Sequence, residues 1–179
     1  MYKGTNKTAL TSQRQIASAL LSMMEEEPFE DIRISSICQH AGCSRQTFYS
    51  LFQSKENVIA YLIHRDCKFP SDMGTDKSQA LLSLCRTLAV YAINNASILQ
   101  LLTDNNLTHL LHAEFYDSIL RSSTLISRLR PDIRPFAADY LASCFTSIIR
   151  TYLKEGKNAD QKLLEETTYS LLQGNLFKD

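Results

Sequence analysis

The sequence predicts an all-α protein, and three observations carry that expectation. Apolar side chains recur at three- and four-residue intervals, as on one face of a 3.6-residue helix; Ala9, Leu10, Ile16, Ala17, Leu20, Leu21 and Met24 form the first such stripe. Pro28, Gly42, Pro70, Gly74, Pro131 and Gly156 fall between stripes, where helices stop. Hydroxyl residues stand just ahead of several stripes, where a side-chain oxygen satisfies the unpaired amides of a first turn.

The elements follow in order. A first helix is expected over Ala9 to Met24, capped by Thr8, Thr11, or Ser12 with Gln15 in a capping box, and ended by Pro28, which disfavours helical geometry in the residue before it. A short helix over Ile34 to Ala41 is broken by Gly42, and another over Arg45 to Phe52 is capped by Ser44. Gln53 and Ser54 make a turn, and Ser54 caps a fourth helix through Val58, Ile59, Leu62 and Ile63. The stretch "CKFPSDMGTDKS" reads as a loop between modules. Longer helices are expected over Ser78 to Asn94, Ala96 to Leu102 and Leu107 to Leu129. Two more close the chain. One lies between Pro131 and Lys154 with Gly156 as its stop, and one over Ala159 to Phe177 carries the pairs Leu163–Leu164, Leu171–Leu172 and Leu176–Phe177. Wide terminal stripes of this kind either fill the core or pack against a second copy; periodicity alone favours the core.

At 179 residues and 44% hydrophobic content, the chain can form one domain with a real core, or a small module fused to a larger one. No apolar run reaches the roughly 18 residues that span a bilayer, and "MYKGTNKTAL" lacks a signal-peptide apolar segment, so a soluble, cytoplasmic protein with no membrane partner is expected. Five scattered cysteines, Cys38, Cys43, Cys67, Cys85 and Cys144, suit reduced thiols better than a disulfide framework. Net charge is zero, yet its distribution is uneven. Residues 1–24 carry Lys3, Lys7 and Arg14 and no acid, and 32–55 carry Arg33, Arg45 and Lys55 and no acid. Between them sits the acidic knot Glu25, Glu26, Glu27, Glu30 and Asp31. Such a split can leave one basic side, the footprint of a small nucleic-acid reader.

The stretch "ISSICQHAGCSRQTFYSLF" sharpens that reading. Ile34, Ile37 and Cys38 share one side of the first short helix, and Phe48, Leu51 and Phe52 share one side of the second. Arg45, Gln46, Thr47, Tyr49 and Ser50 are left to point outward. None is a carboxylate and each can donate a hydrogen bond, which suits a major groove lined with phosphates and acceptor-rich base edges. Helix, short turn with glycine, helix is a helix-turn-helix.

From about Gln13 to Leu62 the chain resembles the amino-terminal domain of the TetR family of transcriptional regulators. The resemblance is carried by "PFEDIRISSICQHAGCS" and "RQTFYSLFQSKENVI", and within them by Gly42, Ser44, Thr47, Tyr49, Phe52, Lys55 and Glu56. It implies an all-α protein in two parts. Residues 1–66 would form a three-helix DNA-binding domain whose helix-turn-helix spans about 33–52, and residues 67–179 a larger helical domain for effector binding and dimerisation. It also implies that Arg45, Gln46, Thr47 and Ser50 face base edges and nearby phosphates, with Ser44 and Ser35 beside them, that Tyr49 reaches a phosphate, and that Lys55 clamps the backbone with the amino end of its helix. Arg33 stands where the family usually has Thr or Ser; Ser35 or Ser36 would have to replace that cap, and Arg33 itself could meet a phosphate. The family's dimer, built from the last two helices of each subunit, would place Phe136, Tyr140, Cys144, Ile148, Leu164, Thr168, Leu171 and Leu172 at the interface.

The function so implied is a sequence-specific regulator, a repressor released from an inverted-repeat operator by a small-molecule effector. The alternative is a regulatory partner that keeps the fold but binds a protein or ligand rather than DNA. Tyr91, Phe115, Tyr116, His109 and His112 could line the effector pocket or fill the core. No cofactor is expected. Cys38 and Cys43 with His40 between them lack the second ligand pair a zinc site needs, and His109, His112 and Glu114 read as pocket wall or surface. No phosphate loop, nucleophile elbow or carboxylate pair stands out, so no catalytic residue and no enzyme is expected.

Overall fold

A computed structural model describes residues 4–67, 69, 76–122, 125–155 and 160–173, and those residues form nine helices and no strand. The all-α class is therefore as the periodicity requires. The expected stop at Gly156 and the pair Leu176–Phe177 lie outside the described residues.

Helix α1 (Lys7–Met24) begins ahead of Ala9, because Asn6 rather than Thr8, Thr11 or Ser12 is the cap; its side-chain oxygen accepts from the Thr8 amide at 2.9 Å. Its buried face, Ile16, Ala17, Leu20, Met23 and Met24, lies over α2 (Ile34–His40), α3 (Arg45–Leu51) and α4 (Lys55–Asp66). Between α2 and α3, Gly42 has φ +62°, and an added Cβ would meet nothing within 4 Å. Glycine is there for the backbone conformation, not for space. Ile37, Phe48, Phe52, Val58 and Ile59 are fully buried and close a small core, with Phe52 edge-on to Tyr61 at 5.5 Å.

The second half contains α5 (Lys77–Asn94), α6 (Ala96–Asp104), α7 (Thr108–Arg121), α8 (Arg134–Lys154) and α9 (Gln161–Leu172). Helix α7 stops well short of Leu129 although the apolar spacing runs on through Leu125 and Ile126. Ser122 turns extended, with ψ 125°, and its hydroxyl accepts from the Leu125 amide at 3.2 Å, so a turn replaces the helix. Helix α8 starts at Arg134 with Pro135 in its first turn. The Arg134 guanidinium donates to the carbonyls of Ser127 at 2.7 Å and Leu129 at 3.0 Å and so pins the preceding turn. Helix α8 packs on α7, α9 on α5, and α4 on α7. Phe115 and Phe145 meet edge to face at 6.0 Å in the middle of this body. The buried side chains from Ile16 to Leu164 form one continuous core, so the two halves share apolar contacts through α4.

Candidate nucleic-acid interface

Helix α3 is short, and its orientation is set from below. Phe48 and Leu51 are buried, and Ser44 closes the amino end by accepting from the Thr47 amide at 3.0 Å. The same two hydroxyls, of Ser44 and Thr47, hydrogen-bond at 2.9 Å. Thr47 is therefore half-buried and tied to the cap instead of standing free on the outer face. Ser50 is exposed, with its hydroxyl donating to the Thr47 carbonyl at 2.9 Å, which leaves only its lone pairs for a partner.

Arg45, Gln46 and Tyr49 are all exposed and side by side, and none of the three makes a side-chain hydrogen bond among the described residues. Tyr49 is held by its ring, edge-on to Phe48 at 5.7 Å with planes at 88°, so its hydroxyl projects from a fixed base. At the start of α2, Arg33 is extended and exposed, and no side chain caps that helix. Neither Ser35 nor Ser36 supplies the missing cap. Ser35 is exposed beside Arg33.

Lys55 is placed differently from a phosphate clamp. Its ammonium donates to the carbonyls of Phe29, Glu30 at 3.0 Å and Ile32 at 3.1 Å, and lies 4.5 Å from the Phe29 ring centroid. Three carbonyls use all three donors of an ammonium. Lys55 thus shapes the turn that leads into α2, a role that nothing in its spacing announces.

The stripe expected at a dimer interface divides in two. Phe136 is 77% and Tyr140 59% exposed, with Ile133 also exposed and Cys144 half-buried below them on α8. Leu164 and Thr168, in contrast, are buried where α9 packs on α5, and the Thr168 hydroxyl bonds back to the Leu164 carbonyl at 2.7 Å. These two, with Ile148, serve the chain's own core, while Leu171 and Leu172 are half-buried at its edge.

Of the proposed pocket residues, Tyr91 and Phe115 meet at 5.7 Å and line a cavity of about 730 Å³ together with Arg65, Phe69, Asn94 and Asn95. Burial pushes the Tyr91 hydroxyl well above its ordinary pKa, so it stays protonated. Arg65 is held by Asp66 through two bonds of 2.8 and 2.6 Å, and that carboxylate keeps its guanidinium even more firmly charged. Tyr116 and His112 border a separate surface cleft with Phe136 and Asp139. His112 faces Ser143 at 3.2 Å and Asp139 at 3.4 Å, and His109 faces the Asn106 carbonyl at 3.2 Å. Among the described residues no cluster of three potential metal ligands occurs, and no helix is long and apolar enough to cross a membrane.

No family model matches the chain. A segment of 60 residues is 33% identical to the HTH-type dhaKLM operon transcriptional activator DhaS of Lactococcus lactis subsp. lactis (strain IL1403), a match spanning 34% of this chain and 32% of that protein. The solved structure of the dihydroxyacetone kinase operon activator DhaS superimposes with a TM-score of 0.55 at 21% identity, covering 92% of this chain and 96% of that one. A TetR-like transcriptional regulator from Rhodococcus sp. RHA1 superimposes with a TM-score of 0.52 at 16% identity, over 91% of this chain and 96% of that one. Both are named as regulators of transcription. With nine helices and no strand among the described residues, a helix-turn-helix on α2 and α3, and neighbours matched over nearly their whole length, the protein has the fold of the TetR-like transcriptional regulators.

Proposed function

We propose that the protein is a homodimeric, DNA-binding transcriptional regulator whose operator affinity is set by a small molecule. The observation that carries this reading is the outer face of α3, where Arg45, Gln46 and Tyr49 hold unspent donors on a helix with no carboxylate. Such a face complements acceptor-rich base edges and phosphates. Residues 1–66 act as the DNA-reading module, with Arg33, Ser35 and Ser50 flanking the central three and with Ser44, Thr47 and Lys55 holding the geometry. Residues 67–179 act as the effector and dimerisation module. The exposed Phe136 and Tyr140 supply its contact with a second copy, and the cavity at Tyr91 and Phe115 takes the effector. Two recognition helices about 34–36 Å apart then read an inverted repeat. An effector that favours one spacing shifts the protein off or onto DNA.

Operator occupancy by such a protein represses when it blocks the promoter. Activation is the second reading, favoured by the likeness to DhaS, which is named an activator. A promoter–reporter carrying the selected operator separates them by the sign of the response. Selection from a random DNA pool should return an inverted repeat. Arg45→Ala or Tyr49→Ala should then weaken binding by about 1–3 kcal/mol with thermal stability unchanged. Wild-type affinity in both variants would refute the docking.

A further inference from the structure

The α6–α7 corner belongs to the second half of the chain, yet it is bonded to the loop that starts the helix-turn-helix. Asn105, the last residue of that corner's first side, accepts from the Phe29 amide through Oδ1 at 2.7 Å. Its own NH2 donates to the Leu101 carbonyl at 2.9 Å. The first partner can only donate and the second only accept, so the amide has one possible orientation. The corner itself is rigid. Asn106 sits at φ +57°, and the Leu107 amide returns to the Leu102 carbonyl at 2.7 Å.

The other side of the same residue, Phe29, faces the reading module. Its carbonyl accepts from Lys55 at the start of α4, and its buried ring lies beneath that ammonium. Phe29 thus joins the end of α6 to the beginnings of α2 and α4 through the two peptide groups on either side of it. A second attachment between the halves lies along α4, which packs on α7 and at its far end brings His64 within 3.8 Å of Glu114. A helix packed along one line still leaves rotation about that line. The bond at Phe29, off to the side of α4, removes it.

We propose that Asn105 is the positioning residue that fixes the angle of the helix-turn-helix against the second half of the chain, and thereby the half-site spacing the dimer accepts. The inference rests on the DNA-binding dimer proposed above. It assigns Asn105 no contact with DNA or effector. Since the Asn105 side chain grows from the end of α6, a helix that also packs on α8, a change in that body reaches the loop before α2 through this side chain, beside the packing of α4 on α7.

The test uses the full-length protein and duplexes carrying the selected inverted repeat, with the half-sites moved closer or further by one and two base pairs, plus a duplex with one half-site. Wild-type protein should bind one spacing best. In Asn105→Ala the preference between the best spacing and the two-base-pair shifts should fall by about fivefold, the scale of one lost part-buried hydrogen bond. Affinity for the single half-site should stay within about twofold. Asn105→Asp keeps an oxygen for the Phe29 amide but turns its second, acceptor oxygen toward the Leu101 carbonyl, so this variant should keep more of the preference than Asn105→Ala but less than the wild type. An unchanged preference in Asn105→Ala overturns the inference, and so does an equal loss on every duplex including the single half-site, which marks general damage. Wild-type protein that binds no duplex overturns the DNA-binding reading and this inference with it.

Discussion

Arg45, Gln46 and Tyr49 keep their donors unspent on a protein surface where neighbouring polar groups are already paired. Ser44 caps α3, Thr47 bonds to Ser44, Ser50 bonds to its own helix, and Lys55 is turned onto three carbonyls. The contrast separates residues that hold the motif from residues free to meet a partner. The buried thiols give a second residue-scale consequence. Burial, with Cys43 adding to it, pushes Cys38 up to about 11; burial, with a nearby glutamate in each case, pushes Cys67 and Cys85 up to about 12. In the unfolded chain these thiols ionise near 9.0. Between those values the unfolded state has lost protons that the folded state keeps, so stability holds below about pH 9 and declines above it. The urea midpoint should therefore drop between about pH 8 and 10.5, and drop less in Cys85→Ala. An equal midpoint at both pH values would contradict the burial of these groups.

Among the elements, α3 was the most legible and α7 the least. Phe48, Leu51 and Phe52 at helical spacing behind Ser44 leave one possible face for the core, and the structure buries those three. The α7 stripe failed as a guide because Leu125 and Ile126 continue the spacing while a single hydroxyl, Ser122, diverts the backbone. Apolar periodicity records burial, and a turn packed against the core is buried too. Lys55 was expected at a DNA phosphate and Asn105 was not singled out, for one shared reason: each has a partner among backbone groups distant in sequence, which carry no residue-type signal. The consecutive pair Asn105–Asn106 was the available hint, since asparagine tolerates the left-handed backbone seen at Asn106. The α3 cap can be tested as an element. Ser44→Ala should cost about 1 kcal/mol of stability, read from denaturant midpoints, and should weaken operator binding through fraying of the first turn that carries Arg45. Unaltered stability would mean that the cap contributes nothing.

At the scale of the whole molecule, α8 presents aromatic side chains that the rest of the described chain does not cover. Phe136 and Tyr140 lie one turn apart at 77% and 59% exposure, an arrangement that a second copy related by a two-fold axis would bury. Phe136→Glu should shift the protein from dimer to monomer by sedimentation with helix content unchanged, because the residue touches little within the protomer, and should lower operator affinity by about tenfold or more. A dimer of unchanged stability would place the interface elsewhere. Leu164 and Thr168, already committed to α5, should not alter dimerisation except by unfolding the protomer. The two halves of the chain share one core through α4, so they are linked by packing as well as by the bond at Phe29.

The central claim, that paired α3 helices grip a duplex through cationic and donor side chains, is tested most directly by titrating operator binding with salt. Arg33 and Arg45 from each subunit supply about four phosphate-neutralising groups, so the logarithm of the binding constant should fall by about 3 to 4 per tenfold rise in salt. A flat response, or no binding to the selected inverted repeat at low salt, would contradict it.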